Sequence, residues 1–222
     1  MSSLVTLLQR IEAEAQLGNM GIDQAVYEEA GRRVTEPVLL GSGSVCAQVG
    51  IFGRDPGRTE IELNEPFIGK GGQLVRAGLY RAAYGGELPD LATSVAVGSQ
   101  VFWANTVPYK PIGNKAWSVK VKRRFVPFIR ELLVEHWQGH ELITLGNVAF
   151  DWFRLAAPEL KTQLREFWSS EERYSSSLEI CLQGKSIRLH PLPHPSPLNA
   201  KWYPKFPALL DARLAQLNWT GT

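Results

Sequence analysis

Cysteine is scarce: Cys46 and Cys181 are the only two in 222 residues, far apart and each beside apolar neighbours. A disulfide framework and a four-cysteine metal or iron-sulfur site are thereby excluded. Long apolar runs are missing too, none reaching the ~18 continuous residues of a membrane span. The start, MSSLVTLLQRIEAEA, lacks the basic and then uninterrupted apolar layout of a secretory signal, so an intracellular, cytoplasmic protein is expected. Charge of one sign is not in excess: the net charge is +2, so any nucleic-acid surface must come from uneven placement. Internal repeats and low-complexity segments are absent. What remains is an ordinary globular composition, 44% apolar and 21% charged, with length for one sizeable core. A single domain over residues 1–222 is expected, with 1–40 as a helical extension packed on it.

Helical spacing of Leu4, Leu7, Leu8 and Ile11, and looser spacing of Ala25, Ala30 and Val34, predicts two helices over 3–34, broken near Gly18 to Gly21. VCAQVGIFG, SQVFWANTVPY and HELITLG read as buried strands, and KGGQLVRAGLYRAAY as a helix. Residues 119–137 place Val121, Phe125, Phe128, Ile129, Leu132 and Leu133 on one helical face. NVAFDWFRL opens a further helix, SSLEICLQGKSIRLHPL reads as a hairpin turning at Gln183 and Gly184, and FPALLDARLAQL closes the chain as a helix. Strands alternating with helices predict an α/β fold, a three-layer α/β/α sandwich with a short, mostly parallel central sheet. In such sheets ligands bind at the carboxyl ends of the strands, where GRDPG, NTVPYKPIGNK, LGN and HPLPHPSPLN fall.

Each of these loops has a bland reading as well as a chemical one. GRDPG suits a plain turn, with Asp55 bonding its own backbone and Pro56 presetting φ. Phe67 suits the core and Asn105 a strand end. His190 and His194, four apart, suit metal ligands only if a third ligand is near. The cations Lys110, Lys115, Lys120, Lys122, Arg123, Arg124 and Arg130, with Glu131 the single acid at the far end, suit either a solvated face or a DNA contact. Trp202 and Tyr203 suit a DNA flank or a cap on the last helix. HPSPLN is less ambiguous: a histidine ahead of two stiffening prolines and a lone Leu198 suits an element that inserts into a stacked duplex, unless Leu198 tucks under its own loop.

Together, GRDP and HPSPL resemble the two active-site signatures of uracil-DNA glycosylases. The middle of the chain is similar to the iron-sulfur branch, family 4, in which glycine, glutamate, any residue, proline and glycine precede a Pro-Phe-Val-Gly stretch. Here Gly53, Arg54, Asp55, Pro56 and Gly57 precede Pro66, Phe67, Ile68 and Gly69, with Gly72, Gln73 and Leu74 continuing. ANTVPYKPIGNK (104–115) is similar to the branch's asparagine-led motif and TLGNVA (144–149) to its Leu-Gly strand end, so four motifs arrive in the family's order over roughly 45–215.

The resemblance implies a monofunctional glycosylase that flips uracil, or a related deaminated base, out of DNA and hydrolyses its N-glycosidic bond. It implies Asp55 and His194 as catalytic groups, the first offsetting charge at the sugar and the second donating to uracil O2. Phe67 would stack on the base, Asn105 would read its edge, Gly53 and Arg54 would line its pocket, and Glu60 would stand at its C5 edge to exclude thymine. Leu198 would be the wedge; Ser196, Gly146, Asn147 and Lys115 would contact DNA, Gly146 and Asn147 through free backbone N–H groups. DNA is the partner implied, at the nucleoid, and the protein is expected to be a monomer with no cofactor, no metal and no membrane. The chain departs from the branch at three points. Tyr109 stands where the branch has a cluster cysteine, so packing by Tyr109, Trp117 and the amino-terminal helices would have to brace those loops. Arg54 replaces a glutamate or glutamine, and Asp55 an alanine. Arg54 keeps a second reading open, a catalytically weak protein that binds lesions or abasic sites; a nucleoside hydrolase is a remoter third.

Overall fold

The computed structural model describes residues 3–18, 20–113 and 115–221. Met1, Ser2, Asn19, Asn114 and Thr222, which fall within the expected domain, amino-terminal helices and asparagine-led motif, lie outside the described residues. The chain runs α1 (Leu4–Gln16), α2 (Gln24–Glu29), β1 (Val49–Gly53), α3 (Arg58–Leu63), α4 (Lys70–Tyr84), α5 (Leu91–Gly98) and β2 (Phe102–Asn105). It continues through α6 (Val119–Glu131), β3 (Glu141–Leu145), α7 (Asn147–Ala156), α8 (Lys161–Ser169), β4 (Leu178–Leu182), β5 (Lys185–Leu192) and α9 (Phe206–Gln216). The sheet order is β2-β1-β3-β5-β4; β2, β1, β3 and β5 are parallel, and β4 pairs antiparallel with β5. The turn between β4 and β5 sits at Gln183 and Gly184, both left-handed at φ 49° and 87°, the geometry that suits the twist of a two-residue hairpin.

Alternation along the buried strands fills two layers. Val49, Ile51 and Trp103 face Val75 and Leu79 of α4 and Leu210 and Leu214 of α9. Phe52, Phe102 and Ala104 face the other way, toward Ile11 of α1, Phe125 and Ile129 of α6, and Phe150 and Phe153 of α7. The expected α/β/α sandwich is therefore the observed one. Among the described residues no helix is long and apolar enough to cross a membrane.

Several boundaries differ from expectation. Strand β1 begins only at Val49, and α2 ends at Glu29 well before Val34. Helix α6 contains Pro127 and runs on through a π-helical turn, Leu132–His136, so that the two together cover 119–136, one residue short of the expected 119–137. α3, α5 and α8 were not expected; they are short, 6, 8 and 9 residues.

The amino-terminal helices brace the loop after β2. Tyr109, fully buried, donates its hydroxyl hydrogen to Thr35 O at 2.8 Å, and Trp117 Nε1–H donates to Tyr109 O at 2.8 Å. Lys110 Nζ, in a residue only 4% exposed, donates to Asp23 Oδ2 at 2.7 Å and to Pro111 O and Gly113 O. Lys110 is thus a structural pin. Arg124 likewise donates to Glu14 Oε1 at 2.6 Å, and Arg130 to Ala156 O at 3.3 Å. Three of the seven clustered cations therefore hold the fold together, whereas Lys115, Lys120 and Arg123 are exposed.

Candidate active site

The chain leaves β1 to form β2 on one side of it and then crosses to form β3 on the other, and the cleft lies at this switch point. The parallel strands deliver one element each to their carboxyl edge. Gly53, in register with Asn105, leads into Arg54 and Asp55; Leu145, in register with Leu192, leads into Gly146 and Asn147; β5 leads into His194. A cleft of about 370 Å³ is lined by the loop after β1, by Phe67 and Gly69 to Gly72, by Pro111 and Gly113, and by His194 to Leu198. Of the expected site residues it gathers Gly53, Arg54, Asp55, Glu60, Phe67, His194, Ser196 and Leu198.

Asp55 sits with its side chain 1% exposed. Oδ2 accepts from Arg54 Nε at 3.0 Å and from Arg54 Nη2 at 2.8 Å. Oδ1 is buried without a hydrogen bond of good geometry; the Lys122 ammonium and the Trp117 amide are the next groups that favour its charge. Burial raises the Asp55 pKa above the ordinary 3.8 even though Arg54 opposes the rise. His194 moves the other way: burial, reinforced by the Arg54 charge, pulls it down from 6.5 to about 4, so its imidazole is neutral at neutral pH.

Phe67 is held in an unusual backbone state, φ 53°, which costs a non-glycine residue ~1–3 kcal/mol and so needs surrounding structure to impose it. Its ring stacks on Trp103, centroids 5.1 Å apart and planes at 27°. It also lies against Gly53, where an added Cβ would come within 2.5 Å of Phe67 Cε1. Arg76 of α4, entirely buried, holds the loop from below. Its guanidinium donates to Phe67 O at 2.9 Å, Pro66 O at 2.6 Å, Ser94 O at 2.7 Å and Glu65 Oε1 at 2.7 Å, and lies 4.7 Å over the Trp103 ring. The sequence reading missed Arg76, because an arginine within an amphipathic helix reads as solvated. Phe67 is half-buried and lines the cleft, so it is not merely a core residue.

Three expected roles need correction. Glu60 does line the cleft, but both its oxygens already accept backbone amides, Gly57 N at 3.0 Å and Gly69 N at 2.7 Å, stapling the two arms of the loop. Gly146 has no free N–H, since it donates to Leu192 O at 2.8 Å. Its φ of 84° and the 2.8 Å between an added Cβ and His194 Cβ make it the glycine against which the histidine loop seats. Asn105 is 3% exposed and lies behind the cleft wall, with Nδ2 donating to Arg54 O at 2.5 Å and Oδ1 buried without a partner. Lys115 is exposed and lies outside the cleft, a placement that does not contradict an expected DNA contact.

Asn147, at the first position of α7, is exposed. His190 is a core group, 3% exposed, bonded to Glu141 Oε2 at 2.6 Å and facing Arg213 Nη1 at 3.2 Å. The loop carrying His194 braces itself: Ser196 N–H and Asn199 Nδ2 donate to His194 O, and Leu198 N–H donates to Ser196 Oγ at 3.3 Å. Leu198, 91% exposed at the tip, does not tuck under its loop. Trp202 packs edge-on to Tyr174 at 4.9 Å with Lys201 and Lys205 over its ring.

A buried carboxylate and a neutral imidazole lining one cleft, with an aromatic in its wall and an exposed apolar tip among its lining residues, can serve a reaction that separates charge across a bond. Comparison with curated proteins finds no match. A family model described as the uracil DNA glycosylase superfamily matches residues 40–218, all of the sheet and the whole cleft, leaving out only α1, α2 and the chain ends. On that span, which is most of its length, the chain belongs to the uracil DNA glycosylase superfamily.

Proposed function

We propose that the protein is a monofunctional DNA glycosylase that flips uracil, or a related deaminated base, from DNA into the cleft and hydrolyses its N-glycosidic bond. The observation that carries this reading is the meeting of Asp55, from the end of β1, and His194, from the end of β5, in one cleft whose rim bears the exposed Leu198. As the bond between the sugar carbon and the base nitrogen breaks, its electron pair leaves with the base. The sugar becomes cationic and the base anionic, and water supplies hydroxide to the sugar carbon and a proton to the products. The Asp55 carboxylate offsets the sugar's charge, and neutral His194 donates a ring N–H to the base oxygen on which negative charge grows. Phe67 stacks against the flipped base, worth ~1–3 kcal/mol. No lysine lines the cleft except Lys70 at its edge, and strand cleavage through a Schiff base is not expected.

Leu198 makes no packing contact that its removal would cost, so Leu198→Ala should leave stability unchanged. Base release from duplex DNA should fall roughly tenfold, because extrusion of a paired base costs a few kcal/mol that the wedge helps offset. Release from single strands, which need no wedge, should be nearly unaffected; equal losses on both substrates would remove the wedge role.

The charge states of the cleft also fix a pH profile. Release needs ionised Asp55 and neutral His194, and both are lost as pH falls. The rate should therefore be level around neutrality and decline on the acid side above the ordinary aspartate value of 3.8, with His194 protonation adding to the loss near about 4. A rate that rises on acidification would contradict this assignment.

The Arg54–Asp55 ion pair favours a second reading, a protein of the same fold that binds a lesion or abasic site without turnover, because a guanidinium weakens the carboxylate's field at the sugar. Oligonucleotides carrying one uracil, hypoxanthine or xanthine, single-stranded and opposite guanine or adenine, separate the two. Free base together with an unbroken abasic strand is expected from at least one of them. Tight binding with no base released from any would leave the second reading standing.

A further inference from the structure

Arg54 is the cation of the cleft wall that pairs with Asp55, and neither stacking nor wedging uses it. We propose that Arg54 is a positioning residue, a guanidinium clamp that holds Asp55 through a single carboxylate oxygen and ties the loops of Asp55, Asn105 and His194 into one electrostatic unit. The proposal rests on the glycosylase reading for what Asp55 and His194 do.

The geometry is that of a two-point grip. Nε–H and Nη2–H both donate to Oδ2, so the carboxylate cannot rotate without losing both bonds, and Oδ1 is the oxygen left to act. The main chain of the clamp is itself fixed on either side: Arg54 O accepts from Asn105 Nδ2, and Gly53 O accepts from Thr106 N at 2.9 Å. With its side chain 27% exposed, Arg54 is shielded enough for its charge to act on its neighbours.

Those neighbours can be followed element by element. Asp55 faces Arg54 in its own loop, Lys122 from α6 and the Trp117 backbone from the preceding loop; Lys122 in turn faces Asp151 of α7. His194 lines the same cleft as Arg54 and feels its charge. Burial disfavours charge on both Asp55 and His194. Arg54 opposes that effect on the aspartate and reinforces it on the histidine, so one cation favours the ionised carboxylate and the neutral imidazole together. The guanidinium screens part of the carboxylate's field at the sugar. It also lies in the wall of the cleft where the leaving base gathers negative charge, so the field is redistributed toward that base.

The test is a titration of the His194 ring by NMR and a pH profile of single-turnover base release, in the wild type, Arg54→Gln and Arg54→Lys, each checked for folding by thermal melting. In Arg54→Gln, His194 is expected to titrate closer to the ordinary 6.5 and the acid limb to move to higher pH. The neutral-pH rate should fall by up to ~10²-fold, the scale of a mispositioned catalytic group, with DNA affinity little changed. Arg54→Lys, which keeps the charge but not the fork, should restore the His194 titration and not the rate. A glutamine variant whose titration and acid limb overlay the wild type overturns the proposal. So does a lysine variant with the full wild-type rate, which also decides the matter if the glutamine variant fails to fold. The NMR titration needs no turnover. A wild type that releases no base would sink the glycosylase reading while the titration still decides whether Arg54 governs His194.

Discussion

Asp55→Asn is expected to slow base release by about 10²–10³-fold under single-turnover conditions, the range found when one preorganised electrostatic contact is lost from an active site. The substitution is nearly isosteric and keeps an oxygen where Oδ2 meets Arg54, so loop geometry should survive. What disappears is the negative charge beside a sugar carbon that becomes cationic, together with the orientation of the attacking water. DNA binding should be unchanged or tighter, because removing an anion from a surface that meets phosphates does not oppose association. Burial already disfavours the charged form of Asp55, so neutralising the side chain relieves a desolvation cost, while the amide oxygen still accepts from the partly exposed Arg54. Thermal stability should therefore change little, and a large fall in rate with a normal melting curve would place Asp55 in the chemistry. A rate within a few-fold of the wild type would take it out.

Arg76→Met is expected to have the largest effect on stability. The side chain is fully buried and its guanidinium serves three carbonyls and the carboxylate of Glu65. Methionine keeps much of the packing volume but leaves those acceptors without a donor, and breaking a buried ion pair by removing one partner costs about 3–5 kcal/mol. At roughly 2–4 °C per kcal/mol for a chain of this size, the melting temperature should fall by about 10 °C. The local effect reaches the cleft, because Pro66 O and Phe67 O are among the orphaned acceptors and the left-handed Phe67 would lose its support. Base release at subsaturating DNA should weaken even where the protein remains folded. Urea denaturation of wild type and variant checks the first part; a difference below about 1 kcal/mol would mean the carbonyls find water instead.

Much of this arrangement is readable from sequence because strands and helices announce themselves by period. VGIFG and FWAN are apolar on both faces, which only a covered sheet allows, and the α6 stripe from Val121 to Leu133 repeats at helical spacing. The loops that carry Asp55 and His194 are legible because proline and glycine punctuate them. The elements that escaped are short or compositionally mixed: LATSVAVG is apolar enough for a strand, and KTQLREFWS has a single buried residue, Leu164. Charged residues were the main source of error. Arg76, Lys110 and Arg124 sit in patterns that read as solvated faces, yet each is drawn inward by carbonyls or carboxylates distant in sequence. Glu60 was legible as a residue of the loop but not as its staple, since its partners Gly57 and Gly69 lie on two arms that meet only in three dimensions. The positive φ of Phe67 has no local signal at all; its carbonyl is held by Arg76 from the next helix.

The most direct single measurement is the rate of abasic-site formation in an oligonucleotide bearing one uracil, under single turnover at neutral pH, with wild-type protein and Asp55→Asn side by side. The account expects the wild type to release uracil, leaving an unbroken abasic strand, and the variant to do so about 10²–10³-fold more slowly while binding the same DNA. A wild type that binds the oligonucleotide and leaves the base attached, or a variant that keeps the wild-type rate, would contradict it.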